Sequence, residues 1–164
     1  MKRKNLLHII IATGFGSGYF PKAPGTAGAV LATLLWLGMS FILTFSQLLL
    51  VTALLIVLFT FLGAWSSGVM ETYWGEDPAK VVIDEMVGVW IPLLAVNNEN
   101  KYNYIFYALV ALLLFRLFDI FKPLGIRKME AIKGGWGIML DDILAGIYSL
   151  LVLLILYGLK CLIG

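Results

Sequence analysis

Five carboxylates, Asp84 and Glu85, Asp119, and Asp141 and Asp142, stand at the ends of strongly apolar runs. An isolated anion is costly to hold near lipid depth, so acids kept there point to a cation that they bind. With one His and one Cys in the whole chain, oxygen is the only donor available in number. That favours a hard ion such as Mg2+ over zinc. Carboxylate-held magnesium, in turn, is suited to chemistry on a phosphate.

Each acid belongs to a motif with a plainer alternative. In Phe115-Arg116-Leu117-Phe118-Asp119-Ile120-Phe121-Lys122-Pro123, the three-residue spacing puts Arg116 and Asp119 on one helical face, and Pro123 turns the chain after Lys122. Asp119 is then a metal ligand, and Arg116 or Lys122 grips a phosphate oxygen, the guanidinium fork being suited to bidentate contact. The alternative is an Arg116 to Asp119 ion pair beside a snorkelling lysine. In Gly134-Gly135-Trp136-Gly137-Ile138-Met139-Leu140-Asp141-Asp142, a glycine-rich loop runs into a helix expected to begin with its two acids. Glycine allows close approach to a phosphate or ion, and acids complement a helix N-terminus, so a well-capped helix is the plainer reading. Adjacent helical residues point about 100° apart, and Asp141 and Asp142 need not share one task.

Asp84 and Glu85 open the third apolar segment in the same way, flanked by Val81-Val82-Ile83 and Met86-Val87-Gly88; they are read as metal ligands, the plainer alternative being a helix cap or an ion pair with Lys80. Glu71, Glu76, Asp77 and Lys80 read as mixed polar loop charges, most of them facing water. The run from Gly14 to Gly28 has Gly-x-Gly spacing but neither the Gly-Lys-Ser/Thr ending of a phosphate loop nor the preceding strand of a dinucleotide fold. Its glycines, two prolines, Lys22 and Thr26 form either a phosphate cradle at the interface or a turn into the membrane. His8, among Leu6, Leu7 and Ile9 to Ile11, is expected to be packed or interfacial.

The elements that must position these residues are helices in a membrane. Of 164 residues, 61% are hydrophobic, and mean hydropathy is +0.95, far outside the soluble norm. No charge occurs between Lys22 and Glu71, room for two crossings of roughly 20 residues each. Open strands cannot satisfy their backbone in lipid, so the fold class is all-α, a polytopic membrane bundle with four to five spanning or partly spanning helices. Candidate spans are Ala27 to Phe45, Leu48 to Trp65, Met86 to Val96, Tyr104 to Phe121 and Ile143 to Leu162. The third is short and holds Pro92, so by itself it reads either as a crossing or as a re-entrant or buried helix.

If the third segment crosses, ten of the twelve Lys and Arg residues, counting Arg116 one turn inside, share a face with all five acids, and only Lys101 and Lys160 lie opposite. That is the bias of cytoplasmic loops. No repeat or linker divides the chain, which is read as one domain over residues 1–164. The formal charge of +2 is small and scattered, giving no support for nucleic acid as a partner. Lone Cys161 is expected to face lipid or pack.

Counting removes several phosphatase chemistries. A cysteine phosphatase needs an arginine-bearing phosphate loop after its thiolate, but only three residues follow Cys161. Histidine-nucleophile lipid phosphatases need more than His8, and no Asp-x-Asp pair exists. Metal-assisted hydrolysis or an aspartyl-phosphate route remains.

Taken in order, Gly25-Thr26-Ala27-Gly28, Asp84-Glu85 with Gly88 and Trp90, Phe115-Arg116-x-x-Asp119-x-x-Lys122-Pro123, and Gly134-Gly135-x-Gly137-Ile138-Met139-x-Asp141-Asp142-x-x-Ala145-Gly146 resemble the bacterial phosphatidylglycerophosphatase A family over nearly the whole chain. The resemblance implies a Mg2+-dependent enzyme of the bacterial cytoplasmic membrane. Its substrate would be the phospholipid phosphatidylglycerophosphate, converted to phosphatidylglycerol and inorganic phosphate at the cytoplasmic face. Asp84, Glu85, Asp119, Asp141 and Asp142 would form the catalytic and metal-binding set, with Arg116, Lys122, Lys22 and Thr26 binding substrate. Where that family commonly continues Lys-Pro-x-Pro-Ile, this chain reads Lys122-Pro123-Leu124-Gly125-Ile126, from which a looser turn is expected. A small cation or proton transporter using buried carboxylates is the rival reading, and it needs acids at several depths. A lipid-binding scaffold would have little use for paired acids.

Overall fold

The computed structural model describes residues 5–97 and 101–163. Lys2, Arg3 and Lys4 lie outside the described residues, as do the side chains of Lys101, Lys160 and Cys161. Six α-helices follow one another: α1 (Leu6–Ala12), α2 (Pro24–Ile42), α3 (Phe45–Trp74), α4 (Ile83–Leu93), α5 (Lys101–Phe121) and α6 (Gly135–Ile163), with short 3-10 turns at Ser17–Tyr19 and Ile126–Ala131. There is no strand among the described residues.

Four stretches, Pro24–Ile42, Phe45–Trp74, Asn103–Phe121 and Gly135–Leu156, are long and apolar enough to cross a membrane. The outer faces of α2, α3 and α5 carry exposed Leu34, Phe41, Leu54, Phe61, Phe106 and Leu113, as helices facing hydrocarbon should. Thr44 is the N-cap of α3, and its amide donates to the Gln47 side chain at 3.0 Å. This short corner makes α2 and α3 antiparallel neighbours.

Of the readings open for the third candidate span, the buried helix is the one observed. Its helix, α4, has 11 residues, about 16 Å of rise, which does not match a hydrocarbon core of about 30 Å. Instead of facing lipid, α4 touches α2, α3, α5 and α6, and every residue in it except Glu85 is buried. Enclosure by protein explains both the brevity and the tolerance of Pro92, because irregular backbone at membrane depth is permitted where protein surrounds it.

Close backbone contacts fix the direction of α4. A Cβ on Gly88 would meet the Phe115 ring and the Asp142 carbonyl, and one on Gly146 would meet the Gly88 carbonyl and Ile91, so α4 runs parallel to α6 and antiparallel to α5. Small residues at such crossings are how membrane helices approach one another without a hydrophobic drive. The Trp90 indole donates to the Ala32 carbonyl at 3.0 Å, tying α4 to α2. Near the far end the Trp36 indole donates to Thr52 Oγ1 at 3.0 Å and lies 5.8 Å from the Tyr104 ring.

The starts of α2, α4 and α6 and the ends of α3 and α5 therefore meet at one end of the bundle. Lys22, Lys80, Lys122, Arg127, Lys128 and Lys133 all belong to the connections at that end. The N-terminal segment is bound there too. Ala12 accepts from the Val82 amide at 2.9 Å, and His8 packs edge-on against Trp65 at 4.4 Å with Nδ1 3.4 Å from Ser66 Oγ, the packed role expected of it.

Candidate active site

Asp84 and Glu85 occupy the first turn of α4, and Asp142 reaches them from α6. One carboxylate oxygen of each lies within 4.8 Å of the others, the three-acid group among the described residues able to hold a metal ion. Asp84 Oδ1 and Glu85 Oε2 are buried without a hydrogen-bond partner. Burial first, and then the charge of Glu85, push Asp84 well above the ordinary carboxylate range, and burial raises Glu85 as well. A cation between them acts in the opposite sense, favouring the charged forms. Unpartnered hard-oxygen donors from two helices fit Mg2+, and the absence of His and Cys from the group disfavours zinc.

Asp119, near the end of α5, lies close enough to interact with both Glu85 and Asp142. Arg116, one turn earlier on the same face, places Nη1 2.5 Å from Asp119 Oδ2 and 4.0 Å from Glu85 Oε1. Its Nε and Nη1 are nonetheless buried and not aligned for a hydrogen bond with any protein group. Thus the expected ion pair and the expected anion-binding donors are both present in one side chain.

The start of α2 completes this wall. A Cβ on Gly25 would strike Glu85 Oε1 and lie 3.3 Å from Arg116 Nη1, so only glycine lets that turn approach so closely. Thr26 is the next residue on the helix, partly buried, whereas Lys22 is exposed before the helix begins. The segment that reads ambiguously in sequence is therefore part of the site through Gly25. Its signal was the Pro24-Gly25-Thr26 start itself, proline at the first helical position followed by a residue without a side chain.

Asp141 behaves differently from its neighbour. Its Oδ2 accepts from Lys122 Nζ at 2.6 Å, while Oδ1 is buried and unpartnered. Asp141 also lines a cavity of about 570 Å³ with Glu71 and Asp77, so the expectation that Glu71 is simply a water-facing loop charge is corrected: it is helical, in the last turns of α3. The placement of Asp141 and Asp142 at a helix start is corrected too. Helix α6 begins at Gly135, two turns earlier, because Gly135 and Gly137 are used for close packing against the carbonyls of Ala64 and Ile132 rather than for a loop. The turn after α5 is not loose either. Gly125 has φ +90° and caps the 3-10 turn, a conformation closed to proline.

The profile of one family, described as phosphatidylglycerophosphatase A, matches residues 10–157. The chain belongs to the phosphatidylglycerophosphatase A family. Within that family's reach, a protein of Haemophilus influenzae named phosphatidylglycerophosphatase A is 38% identical over 155 residues, covering 93% of this chain and 91% of its own. Its Escherichia coli namesake is 36% identical over 150 residues, covering 91% and 82%. A Bacteroides thetaiotaomicron protein provisionally named a phosphatidylinositol-3-phosphatase is 56% identical over 153 residues, covering 93% and 95%. No solved structure matches the chain. Membership of the phosphatidylglycerophosphatase A family makes this a phosphatase, and the relay of acids at several depths required by the transporter reading has no counterpart, since the buried acids described gather at one end.

Proposed function

We propose that this protein is a Mg2+-dependent, multi-pass lipid phosphatase of the bacterial cytoplasmic membrane. It removes the terminal phosphate of phosphatidylglycerophosphate, leaving phosphatidylglycerol, at a site that faces the cytoplasm. The observation that carries the reading is the group of buried Asp84 and Asp142 with partly buried Glu85, one carboxylate oxygen of each within 4.8 Å of the others, beside the donors of Arg116. The cytoplasmic assignment rests on the basic connections at the acid-bearing end.

In this reading Asp84, Glu85 and Asp142 hold the ion, with Asp119 bordering them. Bound Mg2+ supplies charge neutralisation and an acidified water. Asp119 and Glu85 orient Arg116 through Nη1, and its Nε, which has no hydrogen-bond partner, then binds a phosphate oxygen and stabilises the charge that grows there. Lys122 acts at one remove by holding Asp141. Gly25 keeps the wall of α2 close enough to exclude bulk water from Glu85.

Phosphate release from phosphatidylglycerophosphate by the purified protein, with Mg2+ or with EDTA, is the direct test, alongside Asp142→Asn and Asp119→Asn. We expect chelation to abolish release and Asp142→Asn to reduce it by more than about 100-fold, beyond the range typical of residues that only support metal ligands. Release unaffected by chelation and by both substitutions overturns the reading. Because the Bacteroides thetaiotaomicron relative carries a phosphatidylinositol-3-phosphatase name, phosphatidylinositol 3-phosphate is the second substrate to assay. Faster turnover of that lipid keeps the site and changes the headgroup.

A further inference from the structure

Asp141 and Asp142 are adjacent yet serve different spaces, as an angle of about 100° between neighbouring helical residues requires. Asp142 joins the acid group with Asp84 and Glu85. Asp141 lines the separate cavity of about 570 Å³ between the end of α3 and the chain leading into α6, together with Glu71, Thr72, Glu76, Asp77 and Lys133. Its volume falls within the roughly 300–1,000 Å³ of small-molecule sites. The cavity is not an acidic surface alone: Lys133 stands among its acids, and Lys122 Nζ holds Asp141 Oδ2 at 2.6 Å.

Resting on the phosphatase reading, we propose that this cavity is the subsite for the hydroxyl-bearing polyol of the lipid headgroup. Four carboxylates and one lysine make a poor pocket for a phosphate monoester. They suit a neutral ligand rich in O–H donors, because an ionised carboxylate is an acceptor only and its hydrogen bonds are strong. A second metal ion is disfavoured by geometry. Among the described residues, the acids of this cavity form no group that converges as Asp84, Glu85 and Asp142 do within 4.8 Å. With Lys122 committed to Asp141, Lys133 is the lining cation left for the phosphodiester that joins polyol to lipid. Asp141, sharing a backbone with Asp142, links the subsite to the reacting centre, so the polyol is held while its phosphate lies among the acids.

The experiment uses the full-length protein in mixed micelles. Let the polyol substrate be whichever of phosphatidylglycerophosphate and phosphatidylinositol 3-phosphate it turns over faster, and the reference be phosphatidic acid with the same acyl chains, which has no polyol beyond its acylated glycerol. The KM for the polyol substrate is compared with the constant for phosphatidic acid, taken as KM where it is hydrolysed or as Ki where it only competes. In Glu71→Ala and in Lys133→Ala we expect the preference for the polyol lipid to fall about tenfold, the loss of one hydrogen bond to a charged group. Equal weakening toward both lipids, or unchanged preference in both variants, overturns the subsite. Calorimetric titration with MgCl2 alone adds a further arm: saturable binding that survives Asp142→Asn but disappears in Glu71→Ala assigns the cavity to an ion and overturns it as well. Wild-type protein inert toward both polyol lipids is a different failure, that of the phosphatase reading beneath it.

Discussion

At the scale of single residues, the site depends on side chains that are absent as much as on those present. Gly25→Ala inserts a methyl group where Glu85 Oε1 lies, and we expect kcat/KM to fall roughly 10- to 100-fold, as for disturbed ligand positioning, with the helices intact by circular dichroism. Lys122 is the opposite case. It sits at φ +45°, a conformation that costs a non-glycine residue energy, and it neutralises Asp141 at 2.6 Å. Lys122→Met leaves a buried carboxylate unpaired and is expected to destabilise the fold by about 3 kcal/mol, measured by thermal unfolding in detergent, with Lys122→Arg recovering much of the loss. The acidic residues themselves were legible from sequence, because charge in an apolar run needs a reason. That Asp141 and Asp142 part company was legible only as a possibility of helical geometry, since the partners that separate them, Lys122 and the end of α3, are distant in the chain.

Among the elements, α4 decides the architecture. Its acids and its apolar run are plain in sequence, and so is its direction once charge bias is counted, but its enclosure is not: an 11-residue helix buried on all sides looks the same in sequence as a weak span. The start of α6, at Gly135, departs from its sequence expectation for a related reason. Glycines signal loops when only local preference is weighed, yet Gly135 is in a helix because the Ala64 carbonyl occupies the space a side chain would need. The same logic separates glycines by consequence. Gly88→Ala, pressed on the Phe115 ring and the Asp142 carbonyl, is expected to cost about 1–3 kcal/mol and to lower activity with it. Gly38, with nothing within 4 Å of an added Cβ, is expected to accept alanine without loss of thermal stability, since alanine is the better helix former.

For the molecule as a whole, sidedness is the testable property. In a Cys161→Ser background, Lys22→Cys and Lys133→Cys are expected to react with a membrane-impermeant maleimide only after cells are opened, whereas Ser46→Cys, at the α2 to α3 corner, reacts in spheroplasts. The reverse pattern would put the acids outside and remove the basis for a cytoplasmic substrate. The overall architecture was readable from length, hydropathy and the distribution of basic residues because those obey the membrane itself. The cavity beside Asp141 was not, because it is made by two connections that meet only after folding.

The enclosure of α4 also bears on how the protein is made. A helix of 11 residues carrying two acids at its start is too short to cross the bilayer alone. Its last wall, α6, emerges from the ribosome after every other helix and brings Asp142 with it. Until α6 arrives, the nascent chain lacks Asp142 from the acid group and leaves the α6-facing side of α4 uncovered, so burial of α4 and completion of that group both wait on α6.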